Sequence, residues 1–122
     1  MYQTKHLAKK IAYLLDFHKG ENVVIKNVEN KTPLARFYIF VSADNQRKLN
    51  GLKQEVLDII GNSKASINHV EDSNNTTWVV IDANDIVIHI FTSETRAKYR
   101  LDEIYKDCPN IDYSTYKGKK TI

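Results

Sequence analysis

"WVVIDANDIVIHIFTSETRAKYRLDEIY", residues 78–105, holds the most apolar run of the chain and places a polar His89 inside it, flanked by Asp82, Asp85 and a charged segment. Two runs rich in Val and Ile, separated by Ala83-Asn84, read as a β-hairpin, and the charged segment after Phe91 reads as a helix. A turn at Ala83-Asn84 would set Asp82 against Asp85, Ile81 against Ile86, Val80 against Val87, Val79 against Ile88 and Trp78 against His89. Side chains alternate across a strand, so that register sorts them by face. Val79, Ile81, Ile86, Ile88 and Ile90 share one aliphatic face, which must be core. Trp78, Val80, Asp82, Asp85, Val87, His89 and Phe91 share the other, which is the candidate site.

Each polar residue there has a structural reading beside the functional one. Opposed carboxylates repel, so the turn is expected to be looser than two residues, with Asn84 left-handed and Asp82 and Asp85 serving as turn residues. His89 reads either as a half-buried, hydrogen-bonded imidazole or as a working titratable group. Trp78 reads as core or as the kind of large aromatic that anchors protein interfaces. The last helix starts near Thr92 or Ser93 with Glu94 in its first turn, where a negative charge suits the dipole. Its stripe Ala97, Leu101, Ile104, Tyr105 and Cys108 reads as buried, making Cys108 a small core residue rather than a reactive thiolate. Its outer face then carries Arg96, Arg100 and Glu103, while Lys98 precedes Asp102 by four, at ion-pair spacing. Arg96 and Tyr99 adjoin the hairpin and extend the candidate surface.

Upstream, Leu7, Ile11, Leu14 and Leu15 repeat at helical spacing between Gln3 and His18, and Gly20 is a natural stop. Asn22–Val28 and Phe37–Ala43 read as strands, the second apolar enough on both sides to be central in a sheet. Asp44 or Asn45 can cap a helix carrying Leu49, Leu52, Val56, Ile59 and Ile60 until Gly61-Asn62 ends it. Gly51 within it suggests close packing. Residues 66–72 suit a short strand, Ser73–Thr77 a loop, and residues 109–122 a polar, mildly basic, loosely held tail. Alternating strands and helices with one hairpin argue for an α/β sandwich on a mixed β-sheet flanked by helices.

At 122 residues, 42% apolar and 27% charged, the chain has the size and composition of one ordinary globular domain, with residues 1–108 as its body. No stretch is long and apolar enough for a membrane span, and no signal-like segment opens it, so a cytoplasmic location is expected. One cysteine and four scattered histidines supply no metal spacing and suggest no cofactor. The net charge of +3 resolves into +1 for residues 1–108, with 15 basic against 14 acidic side chains, and +2 for the tail, through Lys117, Lys119, Lys120 and Asp112. A nearly neutral body is a poor footprint for a primary nucleic-acid binder.

Trp78, Asp82, Asp85, His89, Phe91, Arg96, Tyr99 and Leu101 fall in register with a pattern of the form W-V-L-L-D-Y-G-D-V-V-V-H-I-F followed by acidic-x-x-R-x-x-Y-x-L. That pattern is the signature of the ribosomal silencing factors, also called Iojap-related, which residues 3–107 resemble. "ENVVIKNV", "ARFYIFVSADNQRKLNGL" and "VEDSNNTTW" resemble further segments of the family. Asn84 stands for its turn Gly, Asp102 for its Glu and Ile104-Tyr105 for its Leu-Trp, changes that preserve the local role. Arg36-Phe37, Asp72 and "SADN" depart further. The resemblance implies a nucleotidyltransferase-like α/β fold and a homodimer when free. It implies binding to the large ribosomal subunit through ribosomal protein L-fourteen, blocking the small subunit from joining and lowering translation when nutrients run short. By that likeness Trp78, Asp82, Asp85, His89, Arg96 and Tyr99 are placed at the contact. Direct binding of ribosomal RNA through the basic tail is a separate, rival reading from charge: a balance of +2 gives little counterion release, which leaves the tail a minor contribution.

The rival reading is a nucleotidyl-transfer enzyme. That chemistry needs paired acids on a strand to hold Mg²⁺ after a Gly-Ser element. Gly61-Asn62-Ser63 has no D-x-D after it, Asp82 and Asp85 straddle a turn, and Asp44 is expected at the helix start a phosphate would use. The metal site is missing from the sequence, which favours steric occupancy over chemistry.

Overall fold

The computed structural model describes residues 4–72 and 76–116. Residues 73–75 of the expected loop and the tail lysines Lys117, Lys119 and Lys120 lie outside the described residues. The elements are α1 (Thr4–Phe17), β1 (Glu21–Asn27), β2 (Phe37–Ala43), α2 (Gln46–Gly61), β3 (His69–Glu71), β4 (Trp78–Ala83), β5 (Ile86–Thr92), α3 (Ser93–Tyr99), α4 (Leu101–Ile104) and β6 (Asn110–Ile111). The strands form one mixed sheet in the order β3-β4-β5-β2-β1-β6. Among the described residues only β2 and β5, its two central strands, run parallel. All seven residues of β2 are buried, as expected of a central strand. Among the described residues no helix is long and apolar enough to cross a membrane.

The helices α1 and α2 cover one face. Leu7, Ile11, Leu14 and Leu15 of α1 and Leu49, Leu52, Val56, Ile59 and Ile60 of α2 meet Val79, Ile81, Ile86, Ile88 and Ile90 in a single aliphatic core. Alternation thus sorted the hairpin's faces correctly, although its register moved. The turn is a tight one at Asn84-Asp85, with Trp78 opposite Phe91, Val80 opposite His89 and Asp82 opposite Val87. Asn84 takes the left-handed conformation, at φ 70°. The displacement is two residues, an even number, so every side chain keeps its face. It also takes Asp85 out of the ladder, which removes the carboxylate clash without loosening the turn.

Two glycines act differently from their sequence reading. After α1 it is Lys19 that turns left-handed, at φ 72°. Gly20 is required by crowding: a Cβ there would stand 2.6 Å from Val41 Cγ2 and 2.8 Å from the Leu15 carbonyl oxygen. Gly51, by contrast, faces open space. Asn45, not Asp44, caps α2, its side chain accepting from the Lys48 N–H at 2.7 Å.

The last helix is broken. Thr92 caps α3, but Arg100 is left-handed, at φ 54°, and starts the separate turn α4. The reason lies in Arg96, whose guanidinium points inward and grips Asp102 with two hydrogen bonds, Nε to Oδ2 at 2.9 Å and Nη2 to Oδ1 at 2.8 Å. In a continuous helix residues six apart sit about 120° from each other around the axis, so that pair requires the break. The expected buried stripe fails accordingly, with Ala97 and Ile104 exposed, while Cys108 is buried as expected. Residues 109–116, expected as loose tail, instead pack on the body. Asn110 and Ile111 pair with Lys26 and Ile25, and the Tyr113 hydroxyl donates to Asp16 Oδ2 at 2.9 Å.

Candidate partner-binding surface

The second face of the sheet has a smaller core of Val28, Ala35, Tyr38, Phe40, Val87, Phe91 and Cys108, with Trp78, Val80, Leu101 and Tyr105 half-buried against it. Two short helices and a few loop residues cover it. A cover so small leaves large side chains at its margin: Tyr99 is 50% exposed and Ile104 51%.

Trp78, His89 and Tyr99 come together here. The Trp78 ring lies 4.9 Å from that of Tyr99 and 5.7 Å from that of Phe91, and its Nε1–H donates to His89 Nδ1 at 3.2 Å. This is a diagonal contact between neighbouring strands, within reach of a long side chain. Because Nδ1 accepts, the neutral imidazole carries its proton on Nε2. His89 Nε2 is buried without a hydrogen-bond partner among the described residues. Burial pushes the His89 pKa down to about 4. The rings of Tyr38 and Phe40 stand 5.1 and 5.4 Å from it. Burial, reinforced by Tyr105, pushes the Tyr38 hydroxyl up to about 12. At neutral pH both groups hold a fixed protonation state, and with His89 Nε2 sealed from solvent the surface offers shape and ring faces rather than proton transfer.

The remaining candidate residues are placed elsewhere. Asp82 sits at the turn end of β4, its Oδ1 accepting from the Asn84 N–H at 2.9 Å and its Oδ2 from Asn68 Nδ2 at 3.4 Å. Asp85 lies in the turn, where its carbonyl accepts from the Arg36 and Phe37 N–H groups. Four residues along a strand separate Asp82 from Trp78, about 13 Å. Arg96, expected on an outer face, is the opposite of a free surface charge. Besides Asp102 it donates to the Asn22 carbonyl at 2.7 Å and to Ser42 Oγ at 3.0 Å, and its side chain is only 11% exposed. The guanidinium also lies over Phe91 and Phe40, at 5.8 and 6.0 Å from the ring centres. It positions α3, and so Tyr99, against the sheet; it holds Asp102's pKa below the usual carboxylate range, chiefly by hydrogen bonding.

Sequence reading missed Tyr38 and Phe40, whose rings flank His89, and the part of Tyr105, which packs on both of them. The parallel pairing of β2 with β5 puts Phe40 beside His89, and nothing local encodes that pairing. A signal did exist: the aromatics of "FYIFVSA" at 38 and 40 fall on one side of the strand. Among the described residues there is no grouping of three or more His, Cys, Asp or Glu that could hold a metal ion.

Comparison with known proteins bears on the family and the fold. The sequence model of a family described as "Ribosomal silencing factor during starvation" matches residues 2–121. The ribosomal silencing factor RsfS of Halalkalibacterium halodurans is 26% identical over 98 residues, covering 80% of this chain and 84% of that protein. The chloroplastic protein Iojap of Zea mays is 30% identical over 94 residues, 77% of this chain and 41% of that longer one. A solved structure from Chromobacterium violaceum superposes with a TM-score of 0.82 at 19% identity, covering 94% of this chain and 98% of that one. Another, from Bacillus halodurans, gives 0.76 at 22%, covering 89% and 99%. At those identities the two superpositions speak for the fold.

Proposed function

This chain belongs to the ribosomal silencing factor family, and we propose that it represses translation by occupying the large ribosomal subunit in the cytoplasm. In this reading it docks on ribosomal protein L-fourteen and excludes the small subunit by bulk, lowering translation under nutrient limitation. Away from the ribosome it pairs with a second copy, as the family resemblance implies. The docking surface is the open margin of the second sheet face, centred on Trp78, Tyr99 and His89. One observation carries the assignment: a half-buried Trp is fixed by hydrogen bond to a buried imidazole and packs against the half-exposed Tyr99 ring at 4.9 Å. A large aromatic held in one orientation at the margin of a small cover is the kind of anchor that protein interfaces use. Arg96 and Asp102 contribute by positioning, Asp82 and Asp85 by shaping the hairpin.

No nucleotidyl transfer is assigned, because the Asp82 carboxylate is engaged by Asn84 and Asn68 and the described residues hold no grouping of acids that could bind a metal ion. The deciding experiment is a subunit-joining assay by sedimentation, with purified protein added to large subunits before small ones. Joining is expected to be blocked; unimpeded joining would refute steric silencing. Trp78→Ala is expected to weaken large-subunit binding by about 2 kcal/mol with the far-ultraviolet circular dichroism unchanged. Lost folding would return Trp78 to a purely structural role.

A further inference from the structure

The face of α1 turned away from the sheet carries aromatic and charged side chains. His6, Lys9, Lys10, Tyr13, Asp16 and Phe17 recur at three and four and so line one side of the helix. The chain's last described segment runs back across that side. Tyr113 bonds Asp16, while the Tyr116 ring lies 5.2 Å from that of His6 and 5.5 Å from that of Tyr13. Between helix and strap is a cleft of about 260 Å³ lined by Tyr13, Asp16, Phe17, Tyr113 and Ser114. Phe17 is 53% exposed at its edge. Drug-sized sites begin at ~300 Å³, so this one has the volume for a single planar ring system beside Phe17 and Tyr113, above the Tyr113–Asp16 hydrogen bond. Lys9 and Lys10 stand one helical turn before Tyr13, and Lys5 one turn before Lys9. Aromatic faces with cations spaced beside them are what a single strand of nucleic acid requires: stacking for the base, charge for the phosphates.

We propose that the outer face of α1, with the strap at residues 113–116, is a second ribosome-contacting surface that binds single-stranded RNA by stacking an unpaired base on Phe17 and Tyr113. The phosphates on the 5′ or 3′ side of that base lie over Lys9 and Lys10. The near-neutral charge of the whole body does not argue against it, because the contact is local and secondary to docking through Trp78. The inference rests on the ribosome being the partner, but its site shares no residue with the first surface, so the two fail separately. It also differs from RNA binding by the tail lysines, since it uses none of Lys117, Lys119 and Lys120.

The test is fluorescence anisotropy with a labelled single-stranded adenosine decamer and the full chain, at several salt concentrations. Wild type is expected to bind in the micromolar range. Phe17→Ala should weaken binding about tenfold, a typical loss for one stacked base. Lys9→Glu with Lys10→Glu should lower the salt slope by about 0.7 for each phosphate that is no longer neutralised. Trp78→Ala should leave decamer affinity within about twofold of wild type, since Trp78 lies on the other surface, and the roughly tenfold loss on Phe17→Ala should persist after removal of residues 117–122. No binding, equal binding by Phe17→Ala, equal binding of duplex RNA, or displacement of the decamer by an equal concentration of polyglutamate would each overturn the proposal. The last outcome would mark the face as a site for acidic protein instead.

Discussion

The two faces of the one sheet are made from alternate residues of the same strands, yet they are built on different terms. The face under α1 and α2 is aliphatic throughout, and nearly all of its side chains are sealed from solvent. The opposite face holds the polar residues the sheet buries, Lys26, Ser42 and His89, among aromatics, under a cover of two short helices. Aliphatic packing beneath long helices supplies stability through area removed from water. Aromatic and polar packing beneath a small cover leaves rings within reach of a partner. The first face holds the strands rigid so that the second can be incomplete.

That contrast can be broken by substitution. Ile88→Ala, beneath α2, is expected to destabilise the fold by about 4 kcal/mol in chemical denaturation, through lost transfer energy and an unfilled cavity. A loss under about 2 kcal/mol would mean that the first face is not the stability core. The next largest effect belongs to pH on the second face. His89 has a folded pKa of about 4 against an ordinary 6.5, so the unfolded chain takes up the proton first. Stability is unaffected above pH 6.5 and falls progressively as pH drops toward 4, by about 3 kcal/mol in all. His89→Leu should flatten that portion of the urea-midpoint profile; an unchanged profile would assign the acid sensitivity to another group.

Arg96→Met should cost about 2 kcal/mol, less than a fully buried pair because Asp102 is 45% exposed and can rehydrate. Asp102's depressed pKa makes its stabilisation present above its ordinary pKa and lost as pH falls through the lower folded value, so the variant should also lose that acidic limb. A variant as stable as wild type, with the limb retained, would show that α3 is held by other contacts. The smallest change in stability is expected from Tyr99→Ala, within about 0.5 kcal/mol of wild type because its ring is half exposed. Its large-subunit affinity should nevertheless drop, by about 1 kcal/mol, and unaltered affinity would move the docking surface off α3.

Several features were legible residue by residue. The helical spacing of Leu7, Ile11, Leu14 and Leu15, the all-apolar β2, and the two-residue alternation of the hairpin each depend on local geometry alone. Alternation even survived a wrong turn, since an error of two residues preserves every face. The candidate site was legible only in part. Trp78, His89 and Tyr99 are neighbours in space because β4 and β5 pair and α3 follows directly, relations spanning about twenty residues of chain. Asp82 and Asp85 were grouped with them by face, but distance along the strand separates them from Trp78.

By itself, then, the sequence determined the elements, their buried faces and the family signature, because periodicity, caps and turn chemistry act between neighbouring residues. Only the tertiary structure decided which strands lie side by side, that Arg96 turns inward to Asp102 and breaks the last helix, and that residues 109–116 strap across β1 and α1. Those outcomes depend on long-range pairing, where a charge finds its partner or a ring its neighbour only after the chain has closed, and no local pattern records the partner's identity.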